Sequence, residues 1–224
     1  MECYLNKNII GLCFIFHLYP SLSHASVLVS VNQNGENKSI WIGEDKVSIK
    51  TEKKSSYTLV DSKQRTLLSI NKNKKQITDS SQKIAVKPTL PEIKTLDIQY
   101  IHHGKGPIIA GLETEFYLLK VNDEICQSEY LSKLPEFEAG TTALMLMTEY
   151  RINTTFKSLP NELSLCFVAD NLKYMRYKNN GFPVKLEDQF GKTIFEVTSF
   201  DLHSNTPKNQ FELPTDFNLI IDNK

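Results

Sequence analysis

Between Ser26 and Ile84 apolar residues recur at every second position, in short runs cut by turn residues, and this rhythm confines the chain to a β architecture. Val27, Val29 and Val31 alternate with Leu28 and Ser30. Ile40 and Ile42 flank Trp41, and Val47 and Ile49 resume the alternation. Successive side chains of an extended chain point to opposite sides, so each run has one face to bury and one to leave outside. Asn34-Gly35 lies between the first two runs, and both residues tolerate the positive φ that a two-residue hairpin turn requires. Gly43-Glu44-Asp45, Asp61-Ser62-Lys63 and the lysine-rich Asn71–Gln76 are further turns. With strands at Tyr57–Val60, Leu67–Ile70 and Gln76–Thr78 between them, they define a β-meander turning every ~8–12 residues.

Residues 79–95 hold serines, Pro88 and Pro91, and read as a loop with a weak strand at Ile84-Ala85-Val86. Strands follow at Leu96–His102, Phe116–Val121 and Glu124–Leu131. No helical pattern separates them, which favours an antiparallel sheet over an α/β fold. The texture changes at Pro135. Phe137–Tyr150 is rich in Ala, Leu and Met and predicts a helix, weakened at its start by Gly140. A second helix is expected from Pro160, with Ser158 as its cap. Leu165, Val168, Ala169, Leu172 and Met175 lie on one side of it, and Gly181 ends it. Strands return at Val184–Leu186, Thr193–Phe200 and Phe217–Ile221. Residues 26–224 therefore read as a single α+β domain.

The first 25 residues follow another pattern. A polar start with Lys7 precedes the apolar run Ile9–Tyr19, Pro20 breaks it, and Ser23-His24-Ala25 sets small residues around a cut after Ala25. That order is the pattern of a cleavable secretory signal. The run is about half the roughly 20 residues needed to cross a bilayer. Cys13 follows Leu12 inside the run, which argues against lipid attachment there. The expectation is a soluble mature chain in the periplasm or secreted, with no transmembrane segment.

Charge and cysteines narrow the functions. Lys plus Arg and Asp plus Glu both number 26, and cleavage removes one of each (Lys7 and Glu2). Nucleic-acid binding normally leaves a basic excess, so it is not expected. Lys72, Lys74 and Lys75 read as a solvated hairpin tip. Cleavage leaves two cysteines, Cys126 and Cys166. In an oxidising compartment they form either one disulfide or two buried thiols.

No motif carries a reaction. There is no Gly-rich phosphate loop, nucleophile elbow or zinc-protease helix. Adjacent His102 and His103 point to opposite faces of a strand and cannot readily share a metal. The acids Glu113, Glu115, Asp123, Glu124, Glu129, Glu136 and Glu138 read as surface residues. No enzyme activity, catalytic residue, metal or cofactor is expected.

Three segments of the last third, Gly181-Phe182-Pro183-Val184-Lys185, Phe195-Glu196-Val197-Thr198-Ser199 and Phe211-Glu212-Leu213-Pro214, resemble a family of exported bacterial proteins of unknown function. That family is grouped with the LolA-like outer-membrane lipoprotein carriers. Val60-Asp61-Ser62-Lys63, and Ile109-Ala110-Gly111 before Phe116-Tyr117, occupy similar places. The chain departs from the pattern at Gly111-Leu112-Glu113-Thr114, where a cysteine is usual. It departs again in Glu124–Leu131, where Tyr130 stands for a tryptophan. The resemblance implies a Gram-negative source and a strongly curved antiparallel half-barrel with helices against its concave side, in relatives that carry lipid or acyl chains.

The expected function is non-enzymatic binding of a lipid, acyl chain or other apolar ligand between sheet and helices. Val27, Val29, Ile40, Ile42, Phe116, Leu118, Phe195 and Val197 are the lining candidates. Met145, Met147 and Met175 suit a deformable wall. The alternative is a structural or partner-binding envelope protein with a filled core, contacting a protein through sheet edges or Trp41.

Overall fold

The computed structural model describes residues 26–85, 96–155, 164–207 and 209–222. The export signal and its cut, Pro88 and Pro91, and the Ser158–Pro160 helix start lie outside the described residues. Six strands open the domain: β1 (Ser26–Gln33), β2 (Glu36–Ile42), β3 (Lys46–Thr51), β4 (Ser56–Asp61), β5 (Thr66–Asn71) and β6 (Gln76–Asp79). A short helix α1 (Ser81–Ala85) follows, then β7 (Ile98–Lys105), β8 (Glu115–Val121) and β9 (Glu124–Ser132). Next come a 3-10 turn at Pro135–Phe137 and helices α2 (Glu138–Thr155), α3 (Leu165–Leu172) and α4 (Arg176–Asn180). The chain then runs through β10 (Phe182–Asp188), β11 (Thr193–Ser204) and β12 (Asn218–Ile221). All twelve strands join one open sheet in the order β12-β6-β5-β4-β3-β2-β1-β11-β10-β9-β8-β7. Every pairing is antiparallel except β12 on β6, which is parallel.

The meander forms as its alternation predicts. Val27, Val29, Ile40, Ile42, Val47 and Val60 share one face through direct register and are buried. Asn34 and Gly35 both take positive φ in the first hairpin. The sheet must bend, because α2 touches both β3 and β10. These strands are four steps apart in the sheet, roughly 19 Å if flat, whereas a helix with side chains is only about 10–12 Å across. Register shifts between β1 and β11, β10 and β11, β10 and β9, and β8 and β9 supply the local coiling that curvature needs. The result is an α+β fold with α2 laid in the concave side of a curved sheet. Strands flank this helix on two sides, so it is buried over most of its surface and shows no polar stripe.

Several elements differ from the sequence reading. The expected strand at Ile84-Ala85 is the end of α1. Its first turn is held by Asp79, which accepts from Ser81 N at 2.8 Å, and Ile84 is buried against the main core. Helix α2 runs to Thr155, beyond Tyr150. The second helix is broken in two. Ser164 caps α3 by accepting from Phe167 N at 3.2 Å, and Lys173–Met175 turn the chain before α4. At this break Arg176 Nη1 donates to the carbonyls of Asp170 and Lys173 at 2.9 and 3.1 Å. The Lys173 carbonyl also accepts from Arg176 N at 2.9 Å, so the backbone and the guanidinium of Arg176 together satisfy carbonyls where α3 ends.

The final strand expected at Phe217–Ile221 forms as β12, and it pairs with β6 at the far edge of the sheet. On the way, Phe211 and Phe217 pack on Leu59, Ile70 and Ile77. Leu59 and Ile70 are out of phase with Val60 and Leu67, so this small core lies on the outer face of the sheet.

Candidate functional site

In the N-terminal half of α2 the helix approaches the sheet closely at Gly140. A Cβ there would lie 2.7 Å from Ile42 Cδ1 and 3.2 Å from the Phe182 ring, so a larger residue would require these side chains to shift. Six of the eight lining candidates, Val27, Val29, Ile40, Ile42, Phe195 and Val197, belong to the main core and are at most 5% exposed. Phe116 and Leu118 are not brought to them. Phe195 pairs with Leu186, Leu186 with Glu129, and Glu129 with Tyr117, all on the helix face. Phe116 instead pairs with Tyr130, and Tyr130 with Lys185, on the outer face. There the Phe116 and Tyr130 rings stack with centroids 5.0 Å apart.

Toward its C-terminal half α2 stands further from the sheet, and a cleft of about 350 Å³ opens between them. The sheet contributes Ile40, Ile49, Leu186 and Phe195, and the helix contributes Leu144 and Met147. Two of the lining candidates, Ile40 and Phe195, are thus at a cleft, as is Met147. Met145 and Met175 line a separate groove of about 540 Å³ beside α4. The polar wall of the cleft holds Lys38, Gln127, Arg151, Asp170 and Tyr177. Lys38 is in phase with Ile40 and Ile42 and so points to the helix side. Its Nζ donates to Gln33 Oε1 at 2.7 Å, and burial holds its ammonium below the ordinary lysine range.

Two further grooves lie at the other end of the half-barrel. The larger, about 760 Å³, has Val27 and Ile42 at its base but Glu44, Asp45, Lys63, Glu136 and Glu138 around it, a charged wall ill suited to an apolar guest. The other, about 640 Å³, lies under the β7–β8 hairpin among Leu112, Leu131, Leu134, Phe200 and Leu202. No helix closes over it.

Behind the 350 Å³ cleft sits a buried ionic network that sequence reasoning missed. Glu129, fully buried, accepts from Arg176 Nη2 at 2.6 Å and Nε at 2.9 Å, and from the Tyr100 hydroxyl at 2.9 Å. Arg176 also donates to Asp170 Oδ1 at 2.6 Å and lies 4.4 Å from the Tyr177 ring centroid. Burial, the Glu129 carboxylate and its hydrogen bond raise the Tyr100 hydroxyl far above its usual range. Burial likewise raises Tyr177, and both phenols stay protonated. Such a network holds a unique geometry because each member is satisfied. The nearby disulfide Cys126–Cys166, with a sulfur–sulfur distance of 2.03 Å, ties α3 to β9 on the same face.

Nothing in this arrangement pairs a nucleophile with a base. His102 and His103 contact opposite faces, His102 stacking on Tyr117 and His103 tilting on Phe116. Among the described residues no group of three His, Cys, Asp or Glu side chains is placed to hold a metal, and no helix is long and apolar enough to cross a membrane.

No family model and no curated protein matches the chain. Among solved structures it is similar to MucB, at 12% identity over 88% of this chain and 60% of that one, with a TM-score of 0.34. A MucA/MucB complex from Pseudomonas aeruginosa matches at 12% identity over 89% and 60%, with a TM-score of 0.33. MucB in complex with MucA(peri) matches at 10% identity over 88% and 58%, with a TM-score of 0.31. The chain spans about 60% of the length of these structures. The likeness carries no residue role to this chain.

Proposed function

We propose that this is an exported, non-catalytic protein of the cell envelope that holds an apolar chain between its sheet and the C-terminal half of α2. The observation that supports this reading is the cleft of about 350 Å³ with apolar residues from both layers, Ile40, Ile49, Leu186 and Phe195 from the sheet and Leu144 and Met147 from the helix. Its size is within the roughly 300–1,000 Å³ typical of small-molecule sites, and its lining combines apolar side chains with polar groups that could orient a guest. The test is native mass spectrometry of the mature protein from an envelope extract, beside a Thr148→Trp variant. Thr148 lines the cleft from the helix and is partly exposed, so the indole fills the cavity without excavating the core. A stoichiometric lipid adduct in the wild type, absent from the variant, is the expected outcome. A bare mass after incubation with lipid extract overturns the reading.

A second reading, binding of an envelope protein partner, is favoured by the edge strand β12. Leu219, Ile220 and Ile221 are 61%, 46% and 50% exposed there, with no proline, bulge or lysine to block another strand. Pull-down from the envelope with and without a lysine at Ile220 tests it.

A further inference from the structure

The cleft between the sheet and α2 carries one charge, that of Lys38, with no ion pair among the described residues. Its charged lining residues are Lys38, Arg151 and Asp170. Arg151 Nη2 and Asp170 Oδ2 pair at 3.0 Å. Asp170 is shared with Arg176, which is itself held by Glu129 at 2.6 Å, so two arginines face two carboxylates. Lys38 has no such partner. Its hydrogen bond goes to the neutral amide of Gln33, and Glu36, the acid whose charge acts on it, is already paired with Lys54 at 2.7 Å. A half-buried ammonium beside Ile40, Met147 and Phe195 thus leaves the cleft with a single positive charge at the edge of an apolar wall.

A lysine in phase with a buried apolar row is costly in an empty cleft, because desolvation disfavours its charged form and only a neutral amide compensates it. A guest with one negative charge at the end of an apolar chain removes that imbalance. A charge-assisted contact from lysine to a carboxylate is stronger than the amide contact it would replace. We infer that Lys38 receives the carboxylate of a single-chain fatty acid whose tail lies against Ile40, Ile49, Leu144, Met147 and Phe195. This inference rests on the apolar-chain reading above and specifies the head group. One uncompensated cation calls for a monoanion, and the small volume calls for one chain.

The experiment is displacement of N-phenyl-1-naphthylamine, a neutral apolar dye, by palmitate and by 1-hexadecanol, from the wild type and from Lys38→Met and Lys38→Arg variants. The dye is expected to bind all three proteins. Palmitate should displace it from the wild type at a concentration about tenfold or more below that of hexadecanol. Lys38→Met should equalise the two ligands, and Lys38→Arg should retain the preference. Equal displacement by the two ligands in the wild type, or a palmitate preference that survives Lys38→Met, overturns the role of Lys38 and leaves the apolar-chain reading intact. Failure of the dye and both ligands to bind the wild type overturns both. Thermal melts of the variants separate loss of the head-group contact from loss of folding.

Discussion

Glu129 and Arg176 show how much one pair of residues decides here. An unpaired carboxylate buried at this depth would be far costlier than a surface charge, and the bidentate guanidinium makes its burial tolerable. Arg176 also closes the last turn of α3 through two backbone carbonyls. Arg176→Leu is therefore expected to lose about 3–5 kcal/mol of stability, read as a fall in the urea midpoint, while Glu129→Gln/Arg176→Leu together should lose less than Arg176→Leu alone. Equal losses would mean that helix capping, and not the stranded carboxylate, dominates. In the sequence Glu129 passes for a surface acid. Its phase was legible all the same, since it alternates with Gln127 and Leu131, both buried. The same parity places Lys38 with Ile40 and Ile42. A charge in step with a buried row was the available signal for both residues.

At the level of elements, the strands of the meander follow from local pattern, whereas the helices depend on contacts from elsewhere. Helix α3 has only eight residues and is marginal alone. It is held over β8 and β9 by Cys126–Cys166, by Ala169 packed with Leu119 and Val121, and by the Arg176 network. The disulfide spans 40 residues in sequence, and closing a loop of that length stabilises the fold by about 4 kcal/mol on the chain-entropy model. Cys126→Ser/Cys166→Ser should melt correspondingly lower, and reductant should shift the wild type but not the variant. No shift would show that the ionic network alone secures α3. The sequence left the bridge open because Cα separation, here 5.0 Å, is set by packing. The break before α4 was illegible for a related reason, since the residue that caps α3 lies beyond the helix it ends.

Across the whole molecule, the two faces of the sheet have separate duties. The concave face holds α2, the main core and the cleft, and the outer face of β4–β6 is covered by Phe211 and Phe217 of the C-terminal segment. A chain ending at Thr206 uncovers Tyr57, Leu68 and Ile70 and removes β12 from the edge. It should lose about 3 kcal/mol, from two partly buried aromatic side chains, and bind an apolar dye on its outer face. Binding of a fatty acid in the cleft should persist, because the tail contacts the opposite side. Loss of both would mean that the tail holds the curvature of the sheet as well as its outer core. The curved sheet around a buried helix agrees with what the family resemblance implied. The eight lining candidates, however, divide between its two faces.

The sequence by itself determined which residues of each strand share a face, where the hairpins turn, and that the chain builds a mostly antiparallel sheet with few helices. Period-two alternation and turn chemistry are local, and a few neighbouring residues suffice to specify them. Only the tertiary structure decided which face of β8 and β9 meets the helices, that β12 returns to β6, and that α2 approaches the sheet closely at Gly140 and leaves a cleft beside Lys38. Those outcomes depend on contacts between residues far apart in the chain, and the curvature that arranges them accumulates from bulges that no single segment encodes.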